Sequence, residues 1–397
     1  MNGISLYFHI PFCTSKCSYC DFYSITDYST CPVLFRSLEQ ELAEDFLLTE
    51  NAETASVYIG GGTPDSVDIR YLASLIKAIN KTGVREGTEW TIEANPEHIT
   101  PDFIALVNDT PVTRLSIGVQ SFNERNLRIL GRNAGLAQTF RGVDLACHSF
   151  CGEINIDLIS EIPEQTLSSS LSDIKHAAEK GVSHISRYTL TLEEDTELYA
   201  RYLETENEND QIYEAGIAYL EELGYGRYEI SNFAKPGKEC RHNLRYWHMD
   251  PYLGFGPSSV STVGPVTLDG YGTLGHWIRR EHGRSVQKYI DESKSTACRQ
   301  RFQLEDAGGL WRLIEWKDLL YEQFIMGLRV KEGIEVNTVQ ARFPDNFYEV
   351  FRHICAACRE LLDISETHVR IKDEYYDSQN RVLLRILDEL DARVPQS

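Results

Sequence analysis

Six short runs of apolar and β-branched residues, alternating with stretches of helical period, constrain this chain more than any other feature. The runs are Ser5–Ile10, Ser56–Ile59, Glu89–Ala94, Arg114–Val119, Glu153–Ile159 and His184–Leu190. Between them Val33–Leu48, Tyr71–Asn80, Ala137–Ser149, Leu171–Glu179 and Asp210–Leu223 read as helices. Strands that alternate with helices pair in parallel through right-handed crossovers. Six such units predict an α/β fold, an open partial (β/α)6 barrel over residues 1–232 rather than a closed barrel of eight.

The unusual residues fall where such a barrel builds its chemistry. Cys13, Cys17 and Cys20 follow the first run, and Gly60-Gly61-Gly62-Thr63-Pro64 follows the second. The third ends in Glu93-Ala94-Asn95-Pro96, the fourth in Gln120-Ser121, and the fifth carries Asp157. Polar and Gly-rich residues thus gather at the C-terminal ends of strands, the face on which TIM-like barrels place their sites.

Beyond the barrel the texture changes. Glu204–Asp210 is an acidic run that suits a solvated loop or helix start. Residues 233–300, rich in Gly, Pro, Ser and aromatics as far as Gly275, read as a connection leaving the barrel. Residues 301–397 predict a small α+β domain of winged-helix-like layout. Its expected helices are Leu310–Leu328, Phe347–Leu362 and Gln379–Leu390, with a hairpin at His368–Tyr375.

A net charge of −21 argues against nucleic acid or an anionic membrane as partner. No apolar stretch is long enough to span a bilayer, and Met1–Ile10 lacks the pattern of a secretory signal. These features predict a cytoplasmic protein, where thiols stay reduced. Its ten cysteines are then metal ligands or buried apolar residues rather than a disulfide framework. Cys355 and Cys358 share a helix face, and Cys147 and Cys151 suit a helix end, so both pairs read as structural.

Cys13-x-x-x-Cys17-x-x-Cys20 is different, because it offers three thiolates within eight residues of loop. A zinc site wants four ligands, normally in two pairs, and no second pair lies nearby. A [4Fe–4S] cluster held by three thiolates keeps one iron open to the amine and carboxylate of an amino acid. The loop, with Tyr19 before its third cysteine, resembles that of the radical S-adenosylmethionine (SAM) superfamily, and Gly60–Pro64 resembles that family's Gly-rich turn.

Longer strings narrow the likeness. Leu6–Cys13, Ile59–Pro64, Glu93–Pro96, Leu115–Phe122, Leu130–Arg132 and Asn155–Leu158 resemble oxygen-independent coproporphyrinogen III dehydrogenases and their relatives. Tyr228–Phe233, Cys240–Trp247 and Tyr252–Gly256 are more similar to the HemW-type heme chaperones. The resemblance implies a [4Fe–4S] cluster on Cys13, Cys17 and Cys20. It implies SAM contacts at Tyr7, Tyr19, Gly61, Gly62, Thr63, Glu93, Gln120, Arg132 and Asp157. It also implies heme contact at His242, with Cys240 as a second choice of iron ligand, and an acceptor protein to which heme passes.

Two departures favour the chaperone branch over the dehydrogenases. Asp21-Phe22 stands where the latter carry a fourth cysteine, and Tyr7 comes without their N-terminal extension. Two others depart from the family pattern: Leu158–Pro163 lacks a glycine, and Pro257-Ser258-Ser259-Val260 replaces a Gly-Ala-His string. The alternative remains an enzyme that oxidatively decarboxylates coproporphyrinogen III.

Overall fold

A computed structural model describes residues 3–48, 52–202, 210–266, 275–294, 304, 310–343 and 345–393. Strand β1 (Ile4–Ile10) leads to α1 (Cys31–Leu48), β2 (Thr54–Gly61) to α2 (Ile69–Asn80), and β3 (Glu89–Ala94) to α3 (Pro101–Asn108). Strand β4 (Arg114–Gln120) precedes α4 (Glu124–Ile129) and α5 (Leu136–Ser149), and β5 (Glu153–Ser160) precedes α6 (Leu167–Glu179). After β6 (His184–Thr189) come α7 (Glu197–Tyr202) and α8 (Asp210–Glu222). β1 to β6 pair in chain order and every one of these ladders is parallel, as the alternation predicts.

Each of these strands is buried on both faces, but the two faces differ. Leu6 and Phe8, Val57 and Ile59, Trp90 and Ile92, Leu115 and Ile117 are fully buried in the main apolar core. The alternate positions are polar and face the barrel interior: Ser5, Tyr7 and His9 on β1, Ser56 and Tyr58 on β2, Glu89, Thr91 and Glu93 on β3. Because side chains alternate with a period of two, a single strand builds core on one side and chemistry on the other.

The residues after 233 do not leave the barrel. Past the short antiparallel β7 (Gly226–Arg227) and β8 (Asn232–Ala234), the chain runs through α9 (Arg241–Trp247) beneath the barrel. It then sets β9 (Tyr252–Phe255) parallel to the free edge of β1. β10 (Val260–Val266), β11 (His276–Glu281) and β12 (Arg312–Ile314) continue the same sheet, with α10 (Val286–Ser293) between the last two in sequence. An open barrel leaves the β1 edge unpaired, and covering an edge is favoured. Phe255 stacks on Phe8 with ring centroids 4.7 Å apart, which holds β9 there.

The remaining residues form α11 (Trp316–Gly327), β13 (Ile334–Glu335), α12 (Val336–Arg342), α13 (Asp345–Ala357), β14 (Leu362–Ile364), β15 (His368–Ile371) and α14 (Gln379–Arg393). The strands make a small antiparallel sheet in the order β13-β15-β14, packed on a second core around Phe324, Phe351 and Ile386. The helix expected from Leu310 begins only at Trp316, because Arg312–Ile314 pairs with the edge of β11. Likewise α13 ends at Ala357, and Leu362 joins β14. His368–Tyr375 is not a hairpin in itself; its first part is the central strand of this sheet. The boundary expected near residue 300 lies outside the described residues, as does the acidic run Glu204–Asp210 except for Asp210.

Among the described residues no disulfide occurs, and Cys355 and Cys358 are buried in the second core. Cys147 is partly buried against the main core, whereas Cys151 is exposed.

Candidate functional site

A cavity of about 830 Å³ opens at the C-terminal ends of β1 to β6. Its wall includes all three loop cysteines together with Tyr7, Tyr19, Gly61, Gly62, Thr63, Glu93, Gln120, Arg132 and Asp157. Twelve residues singled out along some 150 positions of sequence therefore meet at one place.

The cysteine loop is held from several sides. The Cys13 amide donates to the Ile25 carbonyl at 3.0 Å and the Ser18 amide to Leu130 at 3.1 Å. The Thr63 hydroxyl donates to Cys13 Sγ at 3.3 Å, and Arg132 Nη1 to Cys17 Sγ at 3.6 Å. Burial pushes the Cys13 thiol up and that of Cys20 up to about 11. The thiols are not drawn into the grouping that a single metal ion needs. Thiolates on separate irons of a cluster have no such requirement. Phe22, beside the loop, is 70% exposed at the cavity mouth.

The Gly-rich turn is sterically obligatory. Gly61 has φ +110°, and a Cβ there would lie 2.6 Å from His9 Nδ1. That imidazole is fixed: Nε2–H donates to the Tyr23 carbonyl at 2.9 Å, so Nδ1 accepts the Tyr7 hydroxyl at 3.1 Å. The turn thus presses its backbone against β1 and leaves its outer side to the cavity.

Glu93 sits behind the turn. Its carboxylate accepts the Tyr58 hydroxyl at 2.8 Å and the Gly61 amide at 2.9 Å. Burial, reinforced by the nearby charge of Asp157, lifts its carboxyl to about 7. Asp157 is also raised by burial, against hydrogen bonds from Ser116 at 3.1 Å and Asn155 at 2.7 Å. Two carboxylates in one enclosed wall are costly without a ligand to meet them, and sites of this kind are where such groups collect.

Gln120 adopts φ +69°, an uncommon conformation for a residue with a side chain. The turn after it is clamped by Asp173 of α6, which accepts the Ser121 hydroxyl and the Phe122 amide, each at 2.7 Å. Asp173→Ala is expected to lower stability by about 1–3 kcal/mol by orphaning both donors. The urea midpoint measures this; an unchanged midpoint would mean the turn holds itself.

His242 does not reach the cavity. It is 1% exposed beneath the barrel, with Nδ1 bonded to Ser56 Oγ at 2.8 Å and Nε2 to Tyr246 Oη at 2.9 Å. Burial, with the Arg245 charge adding to it, depresses its pKa to about 3. Glu89 receives the first amides of α9, from Arg241 at 2.9 Å and His242 at 2.7 Å. The segment expected to contact heme therefore forms the floor of the barrel, and of it Tyr246 lines the cavity. Cys240 is equally buried, its thiol pushed up to about 12 by burial.

Sequence reading missed the residues that orient the others: His9, Tyr58, Asn95, Ser116 and Asn155. Their signal was present as polar residues at every second position of strands whose other positions are uniformly apolar.

Residues 7–174 match the radical SAM superfamily and residues 314–374 the HemN C-terminal domain. The heme chaperone HemW of Escherichia coli K12 is 36% identical over 297 residues, 73% of this chain and 78% of that protein. The chain belongs to the HemW family. The HemW of Lactococcus lactis subsp. lactis is 28% identical over 397 residues, 98% of each chain. Among solved structures, the coproporphyrinogen III oxidase HemN of E. coli shares the fold, with TM-score 0.72 at 20% identity over 97% of this chain and 90% of that one.

Membership of the radical SAM superfamily implies a [4Fe–4S] cluster and SAM, and the residues of this HemW-family chain fit both. Three thiols face one cavity, and two buried polar atoms in its wall, Arg132 Nε and Glu97 Oε2, have no hydrogen-bond partner. Among the described residues no helix is long and apolar enough to cross a membrane.

Proposed function

We propose that this chain is a heme chaperone that works in the cytoplasm, binds heme, and passes it to an acceptor protein. The observation that carries the reading is that the described cavity wall holds three thiols, with Asp21-Phe22 standing where the dehydrogenases carry their additional cysteine. In this reading Cys13, Cys17 and Cys20 hold the cluster, and Arg132 takes the SAM carboxylate. Gly61, Gly62 and Thr63 hold the methionine end. Tyr7, Tyr19, Glu93, Gln120 and Asp157 line the remainder. When bound, the cluster supplies an electron to the SAM sulfonium.

The relatives' name supports heme as the cargo. For His242 to contact iron, its bond to Ser56 or to Tyr246 must break and the imidazole must leave its buried place. Heme titrated into the anaerobically reconstituted protein is expected to bind stoichiometrically by absorption spectroscopy. Weaker binding by His242→Ala would assign contact to that imidazole, and unchanged binding would leave it a floor residue. No binding with the cluster intact would overturn the chaperone reading. Protoporphyrinogen formed from coproporphyrinogen with SAM and reductant would establish the dehydrogenase instead.

A further inference from the structure

The SAM contacts come from β1 to β5 and their loops, and they leave part of the cavity wall without a role. That part is built by Phe22 of the cysteine loop, Tyr188 of β6, Tyr246 of α9, Tyr252 of β9, Val260 of β10 and Arg284. Among the described residues, Phe22 at 70% and Tyr188 at 42% are the only strongly exposed aromatic side chains, and both stand in this wall. A single exposed apolar residue needs no explanation. Two rings gathered in one concave site mark a surface for an apolar ligand. The turn that carries Arg284, between β11 and α10, is fixed beside them. The Ser258 amide donates to the Gly283 carbonyl at 3.1 Å and the His282 amide to the Ser259 carbonyl at 2.9 Å. The Val286 amide donates to the Tyr23 hydroxyl at 3.1 Å, which ties the turn to the residue after Phe22. Asp21 Oδ2 lies 3.5 Å from Arg284 Nη2, an ion pair without a hydrogen bond.

We infer that this wall is the heme seat: the macrocycle lies against Phe22 and Tyr188, and Arg284 and Lys16 take its propionates. Heme is a planar apolar ring with two carboxylates on one edge. Its face stacks on aromatic rings, and its carboxylates pair with basic groups at the water-facing rim. Of the basic residues in the described cavity wall Arg132 is buried, which leaves Lys16 and Arg284 exposed. Two exposed cations meet two propionates, in a chain whose net charge of −21 otherwise repels a dianion. The seat asks nothing of His242, which keeps Ser56 and Tyr246 as partners beneath the barrel. It also places heme and SAM in one cavity, with heme at the mouth.

The inference rests on the reading of the chain as a heme carrier, and one experiment separates the two. Hemin and hemin dimethyl ester, whose carboxylates are uncharged, are titrated by absorption in the same detergent buffer. The proteins are reconstituted wild type, Phe22→Ala, Tyr188→Leu and Arg284→Gln, with iron content matched and SAM affinity measured by calorimetry. Phe22→Ala and Tyr188→Leu are each expected to lose about tenfold in affinity for both porphyrins. Arg284→Gln is expected to lose about threefold for hemin and nothing for the ester, as for an ion pair at an exposed rim. SAM affinity is expected to stay at the wild-type value in all three. Hemin affinity unchanged in the three variants would overturn the inference and leave the carrier reading standing. A matching loss of SAM affinity would overturn it too, because the wall would then serve SAM. Equal loss of hemin and ester in Arg284→Gln would overturn the propionate contact. Wild-type protein that binds no hemin would remove the reading and the inference together.

Discussion

Replacing Glu89 with alanine is expected to destabilise the protein by about 2–4 kcal/mol, the cost of leaving two backbone donors without their acceptor. Glu89 is 7% exposed and Arg114, whose charge it faces, is 4% exposed. The same carboxylate caps the first two amides of α9 and accepts from the Cys240 thiol at 3.6 Å. Its removal orphans two backbone donors and takes away the carboxylate that pairs with Arg241. Glu89→Gln keeps an acceptor without the charge and is expected to fall between the two. Denaturant unfolding of all three proteins measures this. A loss under 1 kcal/mol for Glu89→Ala would show that the floor is held by packing alone.

Glu93→Gln is expected to stabilise the metal-free protein at pH 8 while weakening SAM binding. In the folded protein the Glu93 carboxyl is lifted to about 7 from its ordinary 4.5, chiefly by burial. Below pH 4.5 it is protonated in both folded and unfolded chains. As pH rises toward 7 the unfolded chain releases its proton first, so stability falls through that window, by on the order of 3 kcal/mol. Glutamine does not titrate, so Glu93→Gln escapes the loss, and its advantage over wild type grows from pH 5 to pH 8. Urea midpoints at the two pH values, with SAM calorimetry beside them, give both readouts. A constant difference between the proteins across that range would contradict the raised pKa. Undiminished SAM affinity would remove Glu93 from the contacts proposed above. Strain of this kind at a site, with stability given up for binding, is a recurrent feature of functional cavities.

The parallel strand order and the cysteine loop were legible in the sequence because both are local. A strand announces itself by residues two apart, and Cys13, Cys17 and Cys20 lie within one loop. The Gly61 turn was equally readable, since its conformation needs glycine wherever it occurs. The course of residues 233–300 was not. Tyr252–Phe255 is too short to declare its partner, and it lies against β1 because that edge was free and Phe8 was there to stack on.

The three-dimensional structure alone decided what surrounds each side chain. His242 read as a heme contact from the resemblance of its motif, yet Ser56 and Tyr246 take both its nitrogens and burial keeps it neutral. Glu97 carried no signal at all in the sequence, and its place opposite Arg132 depends on two loops 35 positions apart. Local pattern fixes which backbone forms and which residue types face inward. Burial, charge pairing and unmet hydrogen bonds arise only when distant strands close around one space, and those decide the chemistry.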